Sequence, residues 1–260
     1  MDLIIKNGTI VSPTATFKAD VCVDNGKIVA ITADAGTDAD KVVDASGKMV
    51  LPGAIDAHTH LAMPFGGTIS SDDYYAGTRA AACGGTTTVF DFILQDFGET
   101  MVDAIKRRDA LCAPDAAVDY AFHVAVKDVS NGLIDTIEDA VNYGVSSFKV
   151  FMVYDFGVTD GVFYKVLEKA KSCGAMISVH AENKQLIDVL TERYLSEGKT
   201  SAWYHYMSRP EFVEGEADIR AIQLAKSLDS KLYIVHLANK EGVQAVSYTH
   251  LRAHETLANL

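Results

Sequence analysis

The chain has 260 residues, enough to bury a large core and close to the ~250 residues of one (β/α)8 barrel. Hydrophobic residues make up 48% and charged residues 22%, the make-up of a globular protein, and 23 basic against 35 acidic residues leave a formal net charge of −12. That balance argues against nucleic acid or an anionic membrane as partner. Residues 1–8 lack the basic start and apolar stretch of a signal peptide, and no apolar run approaches the ~18 residues of a membrane span. Cys22, Cys83, Cys112 and Cys173 are widely spaced with no Cys-x-x-Cys, as expected of buried thiols in a reducing cytoplasm.

Along the chain, residues 1–50 read as short alternating segments at 3–5, 9–11, 20–23, 27–32 and 41–44. Turn signals such as Asn7-Gly8, Asn25-Gly26 and Ser46-Gly47 separate them, which predicts a small antiparallel β unit. After Pro52 the rhythm becomes strand then helix. Strands are expected at 49–56, 86–92, 118–124, 147–152, 176–180 and 232–236. Helices are expected at 72–83 (opening with Ser71), 100–111, 133–143, 161–172, 184–196 and 216–228. That alternation predicts an α/β protein with a parallel sheet, doubly wound or a barrel. Only six strands are legible, whereas a closed barrel of this kind needs eight.

The densest chemical signal is Asp56-Ala57-His58-Thr59-His60, at the end of an apolar run. On a strand, residues i and i+2 face the same way, so both imidazoles converge, and imidazole is a common metal ligand. His180 closes Ile177-Ser178-Val179-His180 and His236 closes Tyr233-Ile234-Val235-His236, so all four sit at carboxyl ends of strands, the rim where barrel sites form. A buried histidine satisfied by a backbone carbonyl would explain any one of them, but explains four in one register poorly. Lys149 lies inside the apolar strand Phe148-Lys149-Val150-Phe151. A lysine there either snorkels to the rim, makes a buried ion pair, or loses its charge and takes up carbon dioxide as a carbamate. His123, His205 and the pair His250/His254 read as non-ligands.

These residues, with Met63-Pro64-Phe65-Gly66-Gly67-Thr68, Ser71-Asp72-Asp73-Tyr74, Gly84-Gly85-Thr86-Thr87, Val179-His180-Ala181-Glu182-Asn183 and Ser208-Arg209-Pro210-Glu211, resemble the cyclic amidohydrolases, most closely the dihydropyrimidinase and D-hydantoinase branch. The likeness runs in order from residue 1 to about 246. It implies an incomplete TIM-type (β/α)8 barrel over residues 51–246, preceded by part of a small β-sandwich domain over residues 1–50. It implies two divalent ions, zinc first and manganese, cobalt or iron as other occupants: His58 and His60 hold one, His180 and His236 the other, and a carbamate on Lys149 bridges them. It further implies ring opening of dihydropyrimidines or hydantoins to N-carbamoyl amino acids, with Tyr154 stabilising the oxyanion. Phe65, Phe151 and Phe156 are candidates to line the substrate pocket. The expected partner is a small cyclic ureide or imide, and full-length relatives are expected to be homo-oligomers.

Two departures stand out. In the resemblance an aspartate after strand eight completes the metal site and moves the proton, and no segment here matches it, so this chain alone is expected to be impaired. Residues 247–260 match no family segment and resemble translated sequencing-adapter DNA, a non-native tail. Competing readings are an allantoinase or other cyclic amidase, and a non-catalytic dihydropyrimidinase-like assembly protein. Five converging ligands argue against the latter.

Overall fold

In the computed structural model, which describes residues 1–251, the alternating amino-terminal segments build one five-stranded sheet. Its strands are β1 (Leu3–Val11), β2 (Thr16–Asp24), β3 (Lys27–Thr32), β4 (Lys41–Asp44) and β5 (Met49–Val50), in the order β3-β2-β1-β4, with β5 also on β1. The expected antiparallel unit is corrected to a mixed sheet. β1–β2 and β2–β3 are antiparallel, but residues 33–40 carry the chain to the far side of β1, so β4 and β5 run parallel to it. Asn7-Gly8 does not end a strand either. Asn7 takes φ +63° and forms an irregularity within β1, its N–H donating to Asp20 Oδ1 at 2.8 Å.

Residues 1–54 form one compact unit, and a second begins at Ile55. In the second, β6 (Ala54–Thr59) is followed by a small hairpin of β7 (Pro64–Phe65) and β8 (Thr68–Ile69). Then come α1 (Tyr74–Cys83), β9 (Thr86–Leu94), α2 (Met101–Cys112), β10 (Asp119–Ala125), α3 (Thr136–Tyr143) and β11 (Ser147–Phe151). The chain continues through α4 (Asp160–Cys173), β12 (Met176–His180), α5 (Lys184–Ser196), α6 (Ala202–Met207), α7 (Glu211–Leu228), β13 (Leu232–Ile234) and α8 (Lys240–Leu251). The strands form one curled sheet ordered β13-β12-β11-β10-β9-β6, with parallel neighbours, and this is an incomplete TIM-type barrel.

Local chemistry explains most boundaries. Asp73, Thr100, Thr159 and Asn183 each accept from a backbone N–H three residues on and so start α1, α2, α4 and α5. Asp73, not Ser71, is the first of these caps. The expected strand 49–56 is broken into β5 and β6 around Pro52. The expected helix 133–143 starts only at Thr136, because Asn131 (φ 50°) and Gly132 (φ 84°) leave Ser130–Asp135 as a kinked 3-10 turn. Alternation along β11 sends Phe148 and Val150 into the apolar layer with Phe163 and Leu167 of α4. Lys149 and Phe151 take the other face. The run 203–206 lies in α6, and α7 begins at Glu211, directly after Pro210 and ahead of the expected start at 216. A boundary at 246 falls inside α8, which continues to Leu251. His254 and the side chain of His250 lie outside the described residues.

The segment after β13 is held by α7. Asn239 Nδ2 donates to Asp218 Oδ2 at 2.9 Å, and Asn239 Oδ1 accepts from Gly242 N–H at 2.6 Å in the first turn of α8. Asp218 is fully buried and its Oδ1 has no partner among the described residues. Burial pushes its carboxyl from 3.8 to about 6. A carboxyl whose folded value is raised destabilises the fold as pH climbs through the window from about 4 to 6, because the unfolded chain ionises first. Asp218→Asn should therefore raise stability at pH 7 by on the order of 2 kcal/mol and leave it nearly unchanged at pH 4. Thermal melts across that range check this; equal melting temperatures at pH 7 would refute it.

Candidate metal centre

β6 ends at Thr59, so His58 is its penultimate residue and His60 the first beyond it; His180 is the last residue of β12 and His236 lies two residues past β13. The curled sheet brings all four imidazoles together as a string. His60 and His58 have ring centroids 5.0 Å apart, His58 and His236 5.4 Å, and His236 and His180 4.7 Å. Phe92 of β9 packs at 4.5 Å from the His58 ring and 4.9 Å from that of His60. His236 reaches this place with φ +41°, a left-handed backbone that a β-strand could not supply.

Beside the string lies Lys149. The residue is 1% exposed, and its Nζ has no hydrogen-bond partner among the described residues. The rings of Phe151 and Phe92 stand 5.1 and 5.5 Å from that nitrogen. Neither snorkelling nor a buried ion pair accounts for it. Burial lowers the amine from 10.5 to about 7. Burial, with Lys149 as the next contribution, lowers His58 and His236 to about 4, and burial also lowers His60. These imidazoles are therefore neutral at physiological pH, with lone pairs free for a cation.

His180 is oriented differently. Its Nε2 lies 2.6 Å from Glu182 Oε2, and Arg209 Nε lies 3.4 Å from the other carboxylate oxygen. Burial opposes ionisation of Glu182, but the hydrogen bond from His180 and the nearby Arg209 hold its carboxyl below the ordinary range. An ionised carboxylate only accepts, so Nε2 carries the proton and Nδ1 is the nitrogen left free. Among the described residues no three His, Cys, Asp or Glu side chains already close around one point. The imidazoles stand closest as His58 with His60 and His180 with His236, and the unpartnered amine of Lys149, a group of another kind, lines the same cavity as all four. That donor set suits borderline divalent metals.

A cavity of about 410 Å³ opens here, lined by the four histidines, Lys149, Tyr154 and the apolar Met63, Phe65, Ile69 and Phe151. Tyr154 sits at φ +70° in a tight loop after β11. The loop closes through Val158 N–H to Phe151 O at 2.8 Å, and a Cβ at Gly157 would stand 2.5 Å from Val153 O, so only glycine fits there. The Tyr154 ring lies 5.4 Å from that of His180, and burial, then Glu182, raises its hydroxyl. Phe65 sits on the β7–β8 hairpin, whose turn residues Gly66 and Gly67 both have positive φ, and packs edge-on against Tyr154 at 5.1 Å. Phe156 touches Phe65, Phe151 and Tyr154 but does not line this cavity.

His123 is not part of the string: its Nε2 meets Ala57 O at 3.1 Å and its Nδ1 meets Ser147 Oγ at 2.8 Å. His205, on α6, lies 3.1 Å from Arg209 Nη1 through its Nδ1. Glu182 and Arg209 stand in motifs noted from the sequence, yet sequence reasoning gave them no role. The i, i+2 spacing of His180 and Glu182, the same as that of His58 and His60, was the available signal.

A model of the amidohydrolase family matches residues 49–247. The D-hydantoinase of Geobacillus stearothermophilus is 42% identical over 250 residues, covering 95% of this chain and 53% of that protein. The dihydropyrimidinase of Rattus norvegicus is 37% identical, covering 94% of this chain and 49% of its own length. The crystal structure of dihydropyrimidinase from Brevibacillus agri NCHU1002 superimposes with a TM-score of 0.94 at 43% identity, over 97% of this chain and 56% of that one. The chain thus spans about half the length of the curated relatives it matches.

A buried amine with no partner costs stability whenever the site holds no cation. Lys149→Met, similar in length and apolar, should stabilise the chelator-treated protein by about 1–3 kcal/mol. Denaturant titration in the presence of chelator checks this. A destabilised variant would mean that the amine is satisfied by a group the geometry does not reveal.

Proposed function

The chain belongs to the amidohydrolase family, and from that premise we propose that it carries the metal-dependent site of a cyclic amide hydrolase opening dihydropyrimidines or hydantoins to N-carbamoyl amino acids. The observation that carries the reading is the buried, unpartnered Lys149 beside two pairs of imidazoles in a cavity of about 410 Å³. His58 and His60 hold one divalent ion and His180 and His236 the other. The Lys149 amine, on adding carbon dioxide and losing a proton, would become an anionic carbamate and supply the further donor that the two ions would share. Bound there, the ions, zinc first by ligand type, supply Lewis acidity and lower the pKa of water at neutral pH.

The remaining roles fall to the chain itself. The Tyr154 hydroxyl, raised and hence protonated at neutral pH, donates a hydrogen bond to the amide oxygen as negative charge develops on it. Phe65 and Tyr154 meet edge-on and form one apolar wall against the substrate's substituent, while Met63, Ile69 and Phe151 exclude water from the rest of the cavity. A neutral cyclic ureide or imide suits such a lining. In this reading residues 1–50 are part of a β-sandwich, 51–246 the barrel part and 247–260 a non-native tail. The protein acts in the cytoplasm, and its full-length form is a homo-oligomer. Among the described residues no helix is long and apolar enough to cross a membrane.

Ring opening of dihydrouracil and hydantoin by the protein at its relatives' full length, lost on chelation and restored by zinc, tests the reading, with this chain alone expected to be impaired; turnover of allantoin alone would move it to another cyclic amidase. Lys149→Ala should abolish turnover and bound metal together, and two bound metals with near-normal turnover would refute the carbamate. Tyr154→Phe should lower kcat by roughly 10²–10³ with KM little changed. A change confined to KM would make Tyr154 a binding residue instead.

A further inference from the structure

Behind His58 and His60 lies a second buried charge that the proposed chemistry does not use. Asp91, in the apolar strand β9, is fully buried and pairs with Arg108 of α2 at 3.0 Å, itself 5% exposed. Its carboxylate takes four donors. Oδ1 accepts from Leu61 N–H at 2.9 Å and from Thr59 Oγ1 at 3.3 Å, and Oδ2 accepts from Tyr74 Oη at 2.5 Å and from Arg108 Nη2. Arg108 in turn donates to Leu61 O and, at 3.2 Å, to Ala62 O. Leu61 is thus gripped at its N–H by Asp91 and at its carbonyl by Arg108. Ala62 is held at φ +44° with its own N–H donating to Asp72 O at 2.7 Å, and His60 O accepts from Ser70 Oγ at 2.7 Å.

Stability alone is a poor reason for this arrangement. A buried ion pair commonly gains nothing over apolar residues of similar size, whereas it fixes geometry well because every donor has one acceptor to satisfy. The grip falls on Thr59 and Leu61, the two neighbours of His60, and Thr59 also separates the two histidines. The Asp91 carboxylate therefore sets the direction in which the backbone leaves β6, and with it where both imidazoles point.

We infer that Asp91 and Arg108 are positioning residues that aim His58 and His60 at one cation, acting on that pair and not on the pair of His180 and His236, in which the His180 ring is held by Glu182 and, through it, Arg209. This rests on the metal-centre reading above. Partners behind metal ligands commonly change affinity by about 10- to 100-fold, and a loss of that size is expected at one of the two sites. The test is metal titration of the full chain with zinc, and with cadmium followed by NMR, for the parent, Asp91→Asn, Arg108→Lys and Glu182→Gln. Asp91→Asn should fold, weaken one binding step about 10- to 100-fold and move one cadmium resonance, while Glu182→Gln affects the other step and the other resonance. Arg108→Lys keeps the charge but cannot bridge both carbonyls, and it decides the matter if Asp91→Asn fails to fold. A merely structural pair would lower melting temperatures but leave both steps and both resonances in place, and that result overturns the inference. A parent that binds no metal would instead bring down the metal-centre reading itself.

Discussion

The site depends on one constraint: an amine held in an apolar strand with nothing to pair with. Lys149 cannot comfortably keep its charge there, and its neighbours show the effect, since after burial it is the next cause of the lowered His58 and His236. As an ammonium it would repel any cation that the four imidazoles could attract. Converted to an anion in the same place it would do the opposite, because only the sign of the coupling changes. The same desolvation that makes the lysine costly also lowers the amine to about 7 and so supplies the free base that can react with carbon dioxide.

Backbone strain is distributed with the same bias. Among the described residues seven that are not glycine have positive φ: Asn7, Asn25, Asn131 and Asp229, and also Ala62, Tyr154 and His236. Asn and Asp tolerate the left-handed region because their short side chains bond locally, so the first four need no special reason. Ala62, Tyr154 and His236 have no such excuse, and each costs about 1–2 kcal/mol. All three lie at the cavity or immediately behind it. Tyr154 is compensated by the Val158–Phe151 closure and Ala62 by the Asp72 and Arg108 hydrogen bonds.

What the sequence made legible follows from which signals are local. β12 and α5 have the bounds their patterns imply, since an apolar run ending in His180 and the Asn183 cap are written within a few residues. His58, His60 and Lys149 stood out because a polar residue in an apolar strand is visible without any tertiary knowledge. The mixed amino-terminal sheet was hidden, because parallel pairing of β4 depends on where a connection crosses, not on its composition. Helix α6 was hidden by an aromatic run with weak periodicity. Asp91 carried the same signal as Lys149, a charge inside an apolar strand, but its meaning lies in contacts with residues 17 and 30 positions away. The partnership of His180 with Glu182 is hinted at by their i, i+2 spacing, but the ring nitrogen it engages is not, because that depends on the carboxylate's orientation.

The histidines come from strands of unequal security. Lys149 and His180 sit on β11 and β12, each paired on both sides, whereas His58 and His236 belong to β6 and to the segment after β13, at the two outer positions of the sheet. A strand with one neighbour has half the ladder hydrogen bonds to fix its direction, and Ile55 on β6 and Tyr233 on β13 are 65% and 60% exposed. Side chains make up the difference. β6 is tied by Thr59 to Asp91 and by Ala57 O to His123, and the segment after β13 by Ala238 N–H to Glu214 at 3.0 Å and by Asn239 to Asp218. At these two outer strands, buried polar groups such as Asp91 and Asp218 supplement a thin backbone ladder. Asp91, His123, Glu214 and Asp218 thereby fix the ends of the outer strands, where His58 and His236 sit, by side-chain bonds that the inner strands obtain from their second neighbour.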